Sequence, residues 1–521
     1  MEIDDFLVTI MDDIDVNYYH GRFEYKAFDA DIPQDHIVRF VVIFVKEFLK
    51  FFKLINLEFA SADDDNKSYS FVKLCCLIYY AFVEGITDAK VIEYNAKYNK
   101  LYIYAANGIT PSYKTIQNFM DKWGDLFECL VTYSIIFAKT AGLTGLEHVA
   151  FDGSIFKAAN NKFNVFHRSD VRTLIRWISG KKVTKRELKK LHRPAKKFMK
   201  RLDLTNRQKL DILNTIDQRF DETGQNTVPI NDSDALHVTD KKGKSIVGYN
   251  IQTAVDYSTK MFCAILISNQ ATDHGLLPEI FTKMVENIGI IPEVSSADSA
   301  YNDYETLAFL EDNDIKSLID NTRAAKLRNG NGSKKIFHKD NMDFDYENNA
   351  IICYANQPLY LQDTVFRVNK NTGKLEVQSK YYNEEACAGC VFKHCCCKGK
   401  KRREVLVSGG ELALKMEESM LDYENIYEYM KRFSTVEPLY GILKTFYHID
   451  DMLTRGKGKN LNKLNLCAGS FNLKRLYALL RDVIDSCVDW EDKFKQYHEE
   501  TAKYLNEMNN DKLKVHYPMI I

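Results

Sequence analysis

The sequence predicts an α/β protein: a mixed sheet flanked by helices, with a helical N-terminal domain and a cysteine-bearing insertion. Three observations predict this. Apolar residues recur at helical spacing through residues 1–145. Three alternating segments, then helix, strand, helix and strand, fill 146–325. From 326 the rhythm breaks into an Asn-, Lys- and Gly-rich stretch that leads to clustered cysteines. A chain of 521 residues is also too long for one ordinary core, so two or three structural units are expected.

In order along the chain, "VVIFVKEFLKFFKLI" puts Val41, Phe44, Val45, Phe48, Phe52 and Ile55 on one helix face, opposite Lys46, Lys50 and Lys53. The apolar run Leu74 to Val83 reads as a buried helix. "GITPSYKTIQNFMDKWGDLFECL" is a turn, capped by Thr110 or Ser112, leading into an amphipathic helix. That pair reads as bundle packing or as a DNA-reading helix-turn-helix, and the N-terminal domain is expected to bind DNA ends. "LEHVAFDGSIFKAA" alternates around Asp152 and predicts a strand. A basic helical insertion over 160–230 follows, with eleven Lys or Arg and one acid between Lys181 and Arg201. "GYNIQTAVDYSTKMFCAILISNQ" predicts two strands joined by a turn at Asp256 to Lys260. "TDHGLLPEIFTKMVENIG" and "DYETLAFLEDN" are helices, and "PEVSSADSAYN" and "IKSLI" contain strands. Residues 326–425 form the insertion, 426–487 complete the core with a helix carrying Glu437, and 488–521 form a charged, peripheral C-terminal tail.

Composition narrows the function classes. The formal net charge of −1 leaves nucleic-acid binding to local basic faces. The N-terminal "MEIDDFLVTIMDDIDV" is acidic and lacks the basic and apolar regions of a signal peptide, and no apolar run is long enough to span a membrane. Six of the twelve cysteines are scattered and six cluster from Cys353 to Cys397. Without a secretion signal, that clustering favours metal over disulfides and a cytoplasmic setting.

Asp152 lies mid-strand with Gly153 after it, where a carboxylate is costly unless it is paired, hydrogen-bonded or metal-bound. Asp298 ends another strand, at the carboxyl edge where α/β sheets place ligands. Singly, each is more often a strand-end cap or turn residue. Together with Glu437 from a later helix they can hold two hard cations, Mg²⁺ or Mn²⁺, for phosphoryl transfer. Gln252 and Asp256 are secondary candidates, Asp256 being better placed for a structural turn.

The ordered blocks "FDGSIFKAANNK", "DSDALHV", "GYNIQTAVD", "ADSAYND", "STVEPLYGILK" and "FNLKRL" resemble the DDE transposases of prokaryotic insertion sequences, in particular the insertion-sequence-1182 group of the IS4-like superfamily. The likeness spans most of residues 60–485. It implies an RNase H-like catalytic core in which Asp152, Asp298 and Glu437 coordinate Mg²⁺. It further implies DNA cleavage at transposon ends and strand transfer into target DNA, by a homodimer at the nucleoid. The alternatives are an inactive or domesticated DNA-binding copy, or an RNase H-like nuclease without strand transfer. A Tyr-Arg-Glu-Lys signature of related transposases falls on Tyr429, Arg432, Glu437 and Lys444, which implies phosphate contact by Arg432 and Lys444. The gap from Arg432 to Glu437 is one residue longer than in that signature. Ala300 stands where the family usually has glycine, which would strain the loop if φ there were positive.

"ACAGCVFKHCCC" has C-x₂-C spacing, and the resembling group carries cysteines at these places. One structural Zn²⁺ is expected on Cys353, Cys387, Cys390 and Cys395, with Cys396 as the competing fourth ligand and His394 as a minor one. The basic stretch, with Lys189, Lys190, Lys196 and Lys197, is expected to bind DNA backbone. Finally, Ser434 or Thr435 should cap the helix of Glu437, leaving Pro438 in its first turn.

Overall fold

The computed structural model describes residues 29–60, 67–239, 243–328, 333–368, 375–486 and 490–509. The acidic N-terminal stretch read for a signal peptide lies outside them, as do residues 510–521 of the tail. Helix α1, Ile37–Phe51, buries Val41, Phe44, Val45 and Phe48, and His36 caps it by accepting from the Val38 N–H. Helix α2, Phe71–Val83, is buried along its whole length, as an apolar run without a polar face requires. A two-stranded hairpin, Glu58–Ala60 with Ser68–Ser70, joins α1 to α2; the helical reading of 1–145 did not include it.

Ser112, one of the two expected caps, accepts from the Thr115 N–H and starts α3, Tyr113–Lys122. Helix α4, Gly124–Thr140, follows after Trp123 alone. Its residues from Leu130 to Ala138 are all buried, so over that length it is a core helix.

The central sheet has β1, His148–Ala158, in its middle. On one side β1 pairs antiparallel with β3, Ser245–Asp256; the outer edge of β3 takes β2, Leu236–Thr239, near its start and β4, Phe262–Ser268, further on. On the other side β1 runs parallel to β5, Val294–Ala297, which runs parallel to β6, Lys316–Ile319. The spatial order is therefore β4-β3-β1-β5-β6. Helix α5, Leu277–Ile288, supplies Phe281, whose ring stacks 5.6 Å from that of Phe151 on β1.

Two insertions interrupt this frame. Between β1 and β2, strands Val165–His167 and Thr227–Pro229 bracket four helices that share a separate core of Phe166, Leu174, Leu213 and Phe220. After β6, a five-stranded antiparallel sheet spanning Asp343–Ser408 packs Ile351, Leu359, Tyr381 and Val405 together.

The chain then returns to the sheet through α6, Glu437–Thr445, and α7, Lys457–Leu479. On α7 the buried Asn472 accepts from Phe262 N–H at 2.9 Å and donates to Phe262 O and Ser134 Oγ, each at 2.9 Å, fastening β4 to α4. Gly469 lets α7 approach closely, since a Cβ there would stand 2.8 Å from Leu130 Cδ2. The peripheral tail is corrected over α8, Trp490–Asn509. That helix buries Trp490, Phe494 and His498, with Phe494 packed against Phe40 and Phe137.

Candidate active site

Asp152 occupies the middle of β1, paired with Thr253 of β3 on one edge and just past the last residue paired with β5 on the other. It is buried, and its Oδ1 is 2.7 Å from Nη2 of Arg432, with the two side chains 12% and 4% exposed. Gly153 meets a close approach on the other face: a Cβ would lie 2.5 Å from both Asp273 Oδ1 and Gln252 Nε2. Gln252 belongs to that buried network, donating to Asp273 Oδ1 at 2.8 Å and accepting from the Tyr301 hydroxyl. Asp256 locks the β3–β4 turn by accepting from Thr259 N–H and Oγ1 and from Thr144 Oγ1.

The parallel register ends by pairing Phe151 with Ala297, so Asp152 continues along β1 and Asp298 begins the loop after β5 immediately beyond that last pair. Asp298 caps a short 3₁₀ turn, its Oδ1 accepting from Ala300 N–H at 2.8 Å. Ala300 sits within that turn and is not among the residues with positive φ, so no glycine is demanded there.

Glu437 opens α6 and is exposed. Pro438 lies in the first turn, where its missing N–H costs nothing. Neither expected cap forms. Ser434 Oγ and Thr435 Oγ1 both donate back to Lys431 O, at 2.9 and 3.0 Å, because a short helix, Arg432–Thr435, immediately precedes α6 and offers that carbonyl. Two side chains fasten α6 to β1. The Tyr440 hydroxyl donates to Asp152 O at 2.7 Å, with Thr253 Oγ1 3.0 Å away. Lys444 Nζ donates to Ser154 Oγ at 2.8 Å and Ile155 O at 3.3 Å. Positions 437, 440 and 444 share one helix face, so the hold of the last two on the sheet sets where the first stands.

These elements enclose a cavity of about 650 Å³ lined by Asp152, Asp298 and Glu437 together with Arg432 and Lys444. Lys189, Lys190, Lys196 and Lys197 are not in its lining. Lys189, Lys190 and Lys197 are exposed on the first insertion, while Lys196 is half-buried with Nζ on Lys189 O at 2.7 Å. Two further residues of the cavity, Asp320 and Tyr440, escaped the sequence reading of its chemistry. Asp320 follows β6 as Asp298 follows β5, and pairs with Arg328; its place directly after "IKSLI" was the available signal. Tyr429 of the expected signature is in the lining, and burial pushes its hydroxyl up to about 12. Nothing in the sequence marks the Tyr440 hydroxyl.

Burial opposes the charge on Arg432, but Asp152, Tyr429 and Asp298 outweigh it and hold its pKa above the ordinary arginine value. The acidic donors are hard oxygens and suit Mg²⁺ or Mn²⁺. Among the described residues no three His, Cys, Asp or Glu side chains stand close enough together to enclose an ion, and Asp152 carries a guanidinium.

A second, smaller cavity lies in the cysteine-bearing insertion, lined by Cys353, Cys387, Cys390, Cys396 and Cys397. Cys395, expected as the fourth zinc ligand, is exposed and outside this lining, as is His394. Both lie on the short helix Lys393–Cys397, which brings Cys396 and Cys397 to the cavity instead. Cys387 Sγ accepts from Arg403 N–H at 3.5 Å. Burial, reinforced by Cys387 and Cys396, pushes the Cys397 thiol up to about 11.

Residues 352–477 match the family described as a transposase DDE domain. That stretch contains the cysteine cavity, Arg432, Glu437 and Lys444, and it supports a DDE transposase, a class that acts on DNA with divalent metal. Asp152 and Asp298 lie outside it, so their convergence with Glu437 is independent of the match. Comparison with curated proteins and with solved structures gave no match. Among the described residues no helix is long and apolar enough to cross a membrane.

Proposed function

We propose that this chain is a DDE transposase of the insertion-sequence-1182 type that cleaves DNA at transposon ends and joins the freed 3′-hydroxyl to target DNA. One observation carries the reading: three acids from distant segments, Asp152, Asp298 and Glu437, line one cavity with two basic side chains. An RNase H-like core is supported by the strand order, in which an antiparallel run of three strands is extended by two strands parallel to the first. The transposase match over the second half of the site supports the class.

Asp152, Asp298 and Glu437 would hold divalent cations, which when bound activate the attacking oxygen and stabilise the leaving one. The chain's own contribution is position. β1 carries Asp152 and the turn after β5 carries Asp298, both in the lining of the cavity, while Tyr440 and Lys444 hold the helix that carries Glu437. Glu437, the exposed member, faces the side open to a large substrate. No protein nucleophile is needed, because water and then a DNA hydroxyl attack. The exposed Lys189, Lys190 and Lys197 offer a basic face for DNA backbone, with Lys196 behind them, in a homodimer at the nucleoid. For the insertion we propose a structural Zn²⁺ on Cys353, Cys387 and Cys390 with Cys396 as the fourth ligand. These thiols line one small cavity. They would have to draw together around the ion, since among the described residues no such group is closed.

The test is cleavage of DNA carrying the inverted repeats that flank the gene, in Mg²⁺. The wild type should cut and join these ends, and Asp298→Asn should do neither. Absence of cleavage by the wild type, or its survival in the variant, contradicts the enzyme reading. Cutting without joined products points to the nuclease alternative.

A further inference from the structure

Asp152 already has a cation. Arg432 is 3% exposed, and a buried guanidinium is costly unless its charge and donors are matched. Its Nη2 is matched by Asp152 Oδ1, but its buried Nε–H finds no acceptor among the described residues. The guanidinium is therefore paired at one edge and under-satisfied at another, in the wall of a cavity that four carboxylates and two basic side chains line. A doubly charged ion bound at the same carboxylate would be repelled by the arginine at contact distance. On Asp152 Oδ1 itself the two cations compete for one oxygen.

We propose that Arg432 is the resident counter-ion of Asp152, that a divalent cation displaces it, and that the released guanidinium takes a DNA phosphate oxygen. This rests on the reading of Asp152 as a metal ligand and adds a coupling to it. Phosphate draws Arg432 off the carboxylate and so favours the metal; the metal frees Arg432 and so favours DNA. Binding linkage makes the two effects equal in size, typically fivefold or more. Lys444 is fastened to β1 through Ser154 and the Ile155 carbonyl. Asp320 has its own partner in Arg328.

The experiment is Mn²⁺ titration by calorimetry on the full chain, with and without a random-sequence duplex, for the wild type, Arg432→Gln and Asp152→Asn. The wild type should bind Mn²⁺ at least about fivefold more tightly when DNA is present. Arg432→Gln, with its competitor removed, should bind Mn²⁺ more tightly than the wild type without DNA and gain little from the duplex. Its melting temperature should fall without metal, because Asp152 loses the guanidinium charge beside it, and should recover with Mn²⁺ by more than the wild type's does.

Asp152→Asn should lose Mn²⁺ binding. If it binds as the wild type does, the metal reading itself fails. If it loses binding while Arg432→Gln binds Mn²⁺ no tighter and keeps the full gain from DNA, only the counter-ion proposal is overturned. Should Arg432→Gln not fold, the wild type decides: DNA and Mn²⁺ that bind independently of each other overturn the proposal.

Discussion

The carboxylate cavity takes its walls from β1, the ends of β5 and β6, and α6, whereas the thiol cavity takes its own from residues 337–403 alone. The first is wide, about 650 Å³, and edged by exposed Glu437; the second is about 30 Å³ and closed in by Phe337 and Phe392. Hard oxygens in an open cleft suit labile ions that meet a substrate, and soft sulfurs in a tight one suit an ion that stays. A site assembled across the whole fold depends on every element that aims it. A site closed within one insertion depends on its neighbours alone, and its loss should damage that insertion first.

The largest expected effect separates the two cavities outright. Substituting Asp152 or Asp298 by Asn should lower Mg²⁺-dependent cleavage by about a thousandfold or more, as losing metal stabilisation of several kcal/mol implies, and leave bound zinc unchanged. Cys387→Ser should do the reverse in metal analysis: zinc falls below stoichiometry, and proteolysis begins within residues 333–408. Zinc absent from the wild type would remove the soft half of the comparison.

Next in size is the basic insertion. Replacing Lys189, Lys190 and Lys197 together by Gln should weaken duplex binding and lower its salt slope by up to about 0.9 for each phosphate no longer neutralised, while DNA-free Mn²⁺ affinity stays put. Smaller again is Tyr440→Phe, which keeps the ring and removes one hydroxyl. It should cost about 1 kcal/mol of stability and reduce Mn²⁺ affinity several-fold, because one of the two ties between the Glu437 helix and the Asp152 strand is lost. Equal Mn²⁺ affinity would mean that Lys444 alone positions α6.

The smallest effect is on pH dependence. Burial lowers His498 to about 3 and His148 to about 4, so both are neutral in the folded protein. In the unfolded chain each takes a proton below about pH 6.5, so there the unfolded state binds more protons. Their contribution is complete above pH 6.5 and is lost as the pH falls towards 4. Melting temperature should drop by several degrees between pH 7 and 5, and His498→Gln should flatten that slope.

The strands were legible in the sequence because alternation and turn residues are local, as around "AFDGS" and at Asp256 to Lys260. The acids Asp152, Asp298 and Glu437 were legible as residues whose types and strand or helix positions fit one chemistry. What could not be read was partnership. Nothing near Arg432 announces Asp152, and the hydroxyl of Tyr440 gains meaning only once α6 lies on β1. Ser434 and Thr435 looked like caps because a side chain's choice between the next N–H and the preceding carbonyl depends on the turn before it. The last helix was hidden by its charge, although Trp490, Phe494 and His498 recur every four residues.

The central claim is that Asp152, Asp298 and Glu437 act as one unit. The most direct measurement compares end-cleavage rates in Mg²⁺ for the three single amide variants and the triple variant. Each single change should remove nearly all activity, and the triple variant should be no worse than the singles, since groups that act together are not additive. Cleavage by Glu437→Gln at the wild-type rate, or losses that multiply from single to triple, would contradict it.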